Sequence, residues 1–98
     1  MTRVAVVTGS SSGIGYETAL LLARNQITTY ATMRDVSKGD GLGEIASKEK
    51  IPLNVAQLDV NDDSSVNSAI NNIIKEIGRI DILINNAGYS LFGSLDEY

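Results

Sequence analysis

Cysteine and histidine are both absent from this 98-residue sequence. Without cysteine there is no disulfide framework and no thiolate metal site. Without histidine as well, zinc chemistry and imidazole acid–base catalysis are excluded for this chain by itself. Basic residues are few: 8 Lys and Arg stand against 12 Asp and Glu, for a net charge of −4 and a pI near 4.5. No basic stripe runs along any segment, so nucleic acid is not an expected partner. No apolar run approaches the ~20 residues that span a bilayer. The first residues read as a strand and not as a signal peptide, so a cytoplasmic location without a membrane partner is the expectation. Neither an internal repeat nor a low-complexity tract is present. A hydrophobic share of 43% and a charged share of 20% suit one small folded domain.

What the sequence does have is an alternation of strand and helix signals. Arg3–Thr8 reads as a first strand, and its Val4–Val7 run is apolar without alternation, as in a strand covered on both faces. Ile14–Asn25 reads as a helix stopped by Asn25, followed by a β-branched second strand, Ile27–Met33. Arg34–Asp40 is polar and turn-like. A weak helix is expected over Gly41–Lys50, closed off by the only proline, Pro52. Leu53–Leu58 is a third strand. Val66, Ile70, Ile73, Ile74 and Ile77 form one stripe at helical spacing, opened by Asn61, Asp62 and Asp63 and stopped by Gly78. Ile80–Asn85 is the fourth strand, with a loop from Asn86 onward. Right-handed crossovers then predict an α/β fold, half of a doubly wound Rossmann sheet in the order 3-2-1-4 with helices on both faces.

The glycine-rich stretch Thr8-Gly9-Ser10-Ser11-Ser12-Gly13-Ile14-Gly15 lies between the first strand and the first helix. There Gly9 allows a sharp turn, Gly13 a close backbone approach to a bound group, and Gly15 tight helix–sheet packing. Backbone N–H groups and the positive end of the helix dipole converge just beyond the strand, which suits a pyrophosphate. The other informative residues, Arg34, Asp59-Val60 and Asn85-Asn86-Ala87-Gly88, all fall at carboxyl ends of strands. At the end of strand two, a carboxylate would bond the ribose hydroxyls of NAD, whereas an arginine accommodates the 2′-phosphate of NADP. Arg34 and Asp35 are adjacent, and spacing alone leaves both open. A P-loop is excluded, because no Lys-Ser/Thr follows the glycines.

Together Thr8-Gly9-x-x-x-Gly13-x-Gly15, Asp59 and Asn85-Asn86-Ala87-Gly88 resemble the short-chain dehydrogenase/reductase family. Ser11–Gly15 and Tyr30–Asp35 look most like its hydroxysteroid and retinol dehydrogenase members. The resemblance covers this whole chain, but only the N-terminal part of such a member. It implies that Gly9, Gly13, Ile14 and Gly15 hold the pyrophosphate, with Ser10 and Ser12 near the adenosine ribose. Asp59 would accept from the adenine amino group, the Val60 backbone would complete that pocket, and Asn85, Ala87 and Gly88 would line the cofactor. Met33 stands where NAD-preferring members carry Asp, and Arg34 where NADP-preferring members carry a base, so NADP(H) is the expected cofactor.

The family's Tyr-x-x-x-Lys acid/base pair is missing: the residues four places after Tyr16, Tyr30 and Tyr89 are Leu20, Arg34 and Gly93, and Tyr98 is last. Residues 1–98 are therefore expected to be an N-terminal dinucleotide-binding segment of a longer alcohol or ketone oxidoreductase, inactive alone. The competing reading is a free-standing nucleotide-binding or oligomer-forming module. A third, an S-adenosylmethionine site, suffers from Met33 in place of an acidic residue. The apolar fourth strand also predicts a homodimer through its outer edge.

Overall fold

A computed structural model describes residues 3–11 and 13–85. Its four strands are β1 (Val4–Val7), β2 (Thr28–Met33), β3 (Leu53–Gln57) and β4 (Ile82–Ile84). All pair in parallel, in the order β3-β2-β1-β4. Between them run α1 (Gly13–Arg24), α2 (Asp40–Glu49) and α3 (Asp63–Ile77). The doubly wound half-fold expected from the alternation is the observed one.

Burial explains why β1 is central. All four of its residues are buried, and they feed two separate apolar layers. Val7 joins Ala31, Met33 and Leu53 under α1 and α2. Val4 and Val6 join Tyr30 and Ile73 on the face that α3 covers. On α1, the residues that reach the sheet are small: Gly15, Ala19 and Ala23 are buried at four-residue spacing. Small side chains at that spacing let the helix backbone come close to the strands.

The ends of the elements are chemically defined. Asn25 stops α1 by donating its Nδ2 to the Leu21 carbonyl at 2.7 Å, and Gln26 follows in the left-handed region at φ 66°. Asp62 opens α3 by accepting from the N–H of Ser64 and of Ser65, satisfying donors that a helix start leaves open. Gly78, at φ 88°, closes it with its N–H on the Ile74 carbonyl.

The structure refines several expectations. The polar stretch after β2 is not simply a turn, since Val36–Gly39 forms a 3-10 helix leading directly into α2. In α2 itself, Leu42 is fully buried, and that anchor outweighs the low propensity of Gly41 and Gly43. Finally, the isoleucine stripe of α3 divides: Ile73 is 3% exposed, whereas Ile74 is 44% and Ile77 37% exposed. Only one edge of the stripe meets the sheet. β4 is also shorter than its apolar run, because Asp81 is used differently. Its N–H donates to the Val4 carbonyl at 2.8 Å, while its Oδ2 accepts from the Val4 N–H at 2.8 Å.

Candidate cofactor site

The site is built outward from the carboxyl end of β1. Gly9 has φ 62°, a conformation that side-chain-bearing residues rarely adopt, and it turns the chain off the strand. Two neighbours fasten this turn. On one side the Ser10 N–H donates to the Thr32 carbonyl of β2 at 3.0 Å. On the other, the Thr8 N–H donates to the Ile84 carbonyl at 3.0 Å and the Thr8 hydroxyl to Asn85 Oδ1 at 3.0 Å. Asn85 thereby closes the β4 side of the same crevice.

Ser10, which the resemblance puts near the ribose, is committed to the protein. It is fully buried, and its hydroxyl donates to the Val7 carbonyl at 2.7 Å. Thr32 Oγ1 donates to that same carbonyl at 3.0 Å. Both hydroxyls are spent on closing the strand end, so Ser10 shapes the turn from within. Thr32, which sequence reasoning passed over, was hidden because a β-branched strand residue reads as packing alone.

Gly13 opens α1 at φ 62°, and a Cβ built there would meet nothing within 4 Å. Its requirement for glycine is conformational, since no described residue crowds the position. Ile14 is 76% exposed, and Gly15 is buried against the sheet. Open space at a helix start, with N–H groups not yet committed to the helix, fits a phosphate. Ser12, Asn86, Ala87 and Gly88 lie outside the described residues, as do Tyr89 and Tyr98.

At the end of β2, the two charged neighbours have different surroundings. Met33 is buried, its side chain packed toward Gly39. Arg34 is exposed, and its guanidinium makes no hydrogen bond or ion pair among the described residues. Asp35 instead caps the 3-10 helix. Its Oδ1 accepts from the Ser37 N–H at 3.0 Å and from the Ser37 hydroxyl at 2.7 Å. Those two donors, hydroxyl first, hold the Asp35 carboxyl below the usual carboxylate range, with smaller help from Lys38 and Arg34.

Asp59 is held in the loop between β3 and α3. Its N–H donates to Ser65 Oγ at 2.9 Å, and its Oδ1 accepts from the Asn61 N–H at 3.0 Å. The turn-capping role is thus present, together with a fixed orientation for the carboxylate; Val60 sits half-buried beside it. Asp59 also reaches the rim of a groove of about 610 Å³ between α3 and β2–β3. None of the glycine turn, Arg34 or Asn85 lines that groove. A dinucleotide laid over strand ends uses surface backbone, so this groove and the cofactor site need not coincide.

Glycine turn, β2 end and β3 end meet along one rim of the sheet, the arrangement of the doubly wound α/β proteins. Comparison with known proteins narrows this. The family described as short chain dehydrogenase matches residues 3–98. This chain belongs to that family. It is 44% identical over 99 residues to retinol dehydrogenase 8 of Bos taurus, covering 96% of this chain and 31% of the relative. Menthone neomenthol reductase from Mentha piperita superposes with a TM-score of 0.80 at 33% identity, over 99% of this chain and 38% of that one. Actinorhodin polyketide ketoreductase with NADPH gives a TM-score of 0.81 at 25% identity, over 89% of this chain and 33% of that one. The chain spans about 30% of the length of the curated relatives it matches.

Proposed function

We propose that residues 1–98 form the cofactor-holding segment of an oxidoreductase that uses NADP(H) to interconvert alcohols and ketones. Gly9, Gly13, Ile14 and Gly15 hold the pyrophosphate, and Asp59 with Val60 takes the adenine. Asn85, with Ala87 and Gly88, lines the crevice. Ser10 acts through the shape of the turn and Ser12 toward the ribose. The bound nicotinamide supplies a hydride; this chain's own residues bind and orient the dinucleotide. With no Tyr-x-x-x-Lys pair in its 98 residues, the segment alone turns over no carbonyl substrate.

The single observation carrying the choice of NADP(H) is the exposed guanidinium of Arg34 at the end of β2, without a hydrogen bond or ion pair among the described residues, next to a methionine buried in the core. A free guanidinium there suits a 2′-phosphate, and Met33 offers no acceptor to a ribose hydroxyl. The polyketide ketoreductase crystallised with NADPH lends support from a protein of the same fold. Calorimetric titration of the Arg34→Ala variant tests it. NADPH affinity is expected to fall roughly 10- to 150-fold, the equivalent of a charge-assisted contact of ~1.5–3 kcal/mol, with NADH nearly unchanged. Equal losses for both nucleotides would remove the assignment.

As a partner we propose a second copy of this chain. Among the described residues β4 has only β1 as a neighbour, and Ile82, Leu83 and Ile84 remain half-buried. Antiparallel pairing of β4 with its two-fold mate would continue the sheet.

A further inference from the structure

The sheet has a second edge, formed by β3 on the side away from β4. The Pro52 carbonyl accepts from the Thr29 N–H at 2.8 Å, and the Leu58 N–H donates to the Met33 carbonyl at 2.9 Å. Even-numbered residues of β3 therefore aim their backbone at β2, and by alternation the N–H and C=O of Val55 and Gln57 point outward. Among the described residues no strand pairs with that side. Nothing within Leu53–Gln57 guards it either: the strand has no charge and no proline, and its register with β2 runs without a bulge.

A hollow lies on each face of this edge, and Val55 lines both. The groove of about 610 Å³ on the α3 side sets the carboxylates of Asp59, Asp62 and Glu76 among serines and asparagines. The other, of about 590 Å³ on the α2 side, joins Val36 and Val55 to the carboxylates of Asp40 and Glu44. No Lys or Arg lines either hollow, and Val36 is 45% exposed. An extended segment laid beside β3 sends successive side chains to opposite faces, one row to each hollow. We propose that β3 is a docking edge for an extended segment of a partner protein in which Lys or Arg alternates with Val or Ile. Main-chain bonds to Val55 and Gln57 hold the segment, its basic row meets Asp59, Asp62 and Glu76, and its aliphatic row covers Val36 and Val55. A second copy of this chain is a poor occupant, because a net charge of −4 sets one acidic hollow against another. The surface is separate from the β4 edge and independent of the choice of cofactor.

Fluorescence anisotropy of the 98-residue chain with two labelled hexapeptides of the same composition tests the docking edge. One alternates Arg and Val; the other has all its Arg before all its Val. The alternating peptide is expected to bind about 5-fold tighter or more, and N-methylation of every second residue, which removes main-chain donors, should abolish that margin. Glu76→Gln keeps an acceptor for the Tyr30 hydroxyl and removes the charge; it should weaken the alternating peptide about 1.5- to 5-fold. Hydrogen exchange by NMR locates the peptide: the Val55 and Gln57 amides should slow on binding, with residues 82–84 unmoved. Failure of the alternating peptide to bind, or equal binding of both peptides through diffuse attraction to an acidic surface, overturns the proposal. Protection at residues 82–84 overturns it by placing the peptide on β4. Slow exchange at Val55 and Gln57 without peptide, together with concentration-dependent association, overturns it in favour of a second copy.

Discussion

The carboxylate of Asp81 holds the entrance of the sheet, where β1 and β4 begin. It accepts from the Val4 N–H and from Arg79, whose NH2 approaches Oδ1 at 2.6 Å. Arg79 foremost, then Val4, holds its carboxyl below the usual range, with Arg3 adding a smaller attraction. A carboxylate with a lowered folded pKa stabilises the protein above its unfolded value, ~3.9, and that contribution is lost as pH falls through the folded value. The unfolded chain takes up the proton first, so acid favours unfolding. Asp81→Asn should therefore lower the urea midpoint at pH 7. The gap between parent and variant should close below both pKa values. A gap that persists undiminished at pH 2 would show that Asp81 acts through packing and not through its charge. None of this was legible in the sequence, where Asp81 is one charge within an apolar run. Its partner Val4 lies 77 positions away, and no local pattern records such a pairing. The same holds for Ser10 and Thr32, whose convergence on the Val7 carbonyl depends on strand register. By contrast Gly9 and Gly13 were legible, because a positive φ leaves a mark on residue choice at the position itself.

Among the elements, α3 separates what periodicity determines from what it leaves open. The spacing of Val66, Ile70, Ile73, Ile74 and Ile77 places a helix correctly, and Asp62 and Gly78 bound it. Which part of a stripe wider than the contact meets the sheet depends on how the helix rolls. Here the roll is set by Ala69 and Ile73, buried against the sheet, and by the Tyr30 hydroxyl, which donates to Glu76 Oε1 at 3.1 Å. Two adjacent isoleucines should thus differ sharply. Ile73→Ala is expected to cost ~2–5 kcal/mol, as for a buried large-to-small change, and Ile74→Ala well under half of that. Chemical denaturation of both variants checks this, and equal losses would mean that the helix is rolled otherwise. The 3-10 helix before α2 was not legible for a related reason. Val36–Gly39 has no periodicity of its own, and its place is dictated by Gly39 against Met33 and Val55.

For the molecule as a whole, the open question is what lies along β4. Its three residues are half-buried, and Ile74 and Ile77 are exposed on the α3 side of the sheet. A paired-edge dimer predicts a concentration-dependent shift in sedimentation velocity, with slow hydrogen exchange across residues 82–84 in the dimer. A monomer at every concentration, with fast exchange in that strand, refutes it. Strand order was legible at this scale because three crossover helices and one handedness rule leave few alternatives. Spacing left the pair Arg34 and Asp35 open and only the family resemblance pointed to NADP(H), whereas the bonds that make Asp35 a helix cap depend on backbone geometry.

β1 lies inside the sheet yet is made first of the four described strands, whereas β4, on its other flank, follows the other three. Thr8 and Asn85, like Val4 and Asp81, stand 77 residues apart. A ribosome adding ~5–20 residues per second delivers the second member of each pair on the order of 4–15 s after the first. Over that interval β2 and β3 can already be in place, while the flank of β1 reserved for β4 stays bare. The wholly apolar β1 then waits beside the ribosome with an open side, and this is the window in which a holding chaperone or a wrong strand would find it.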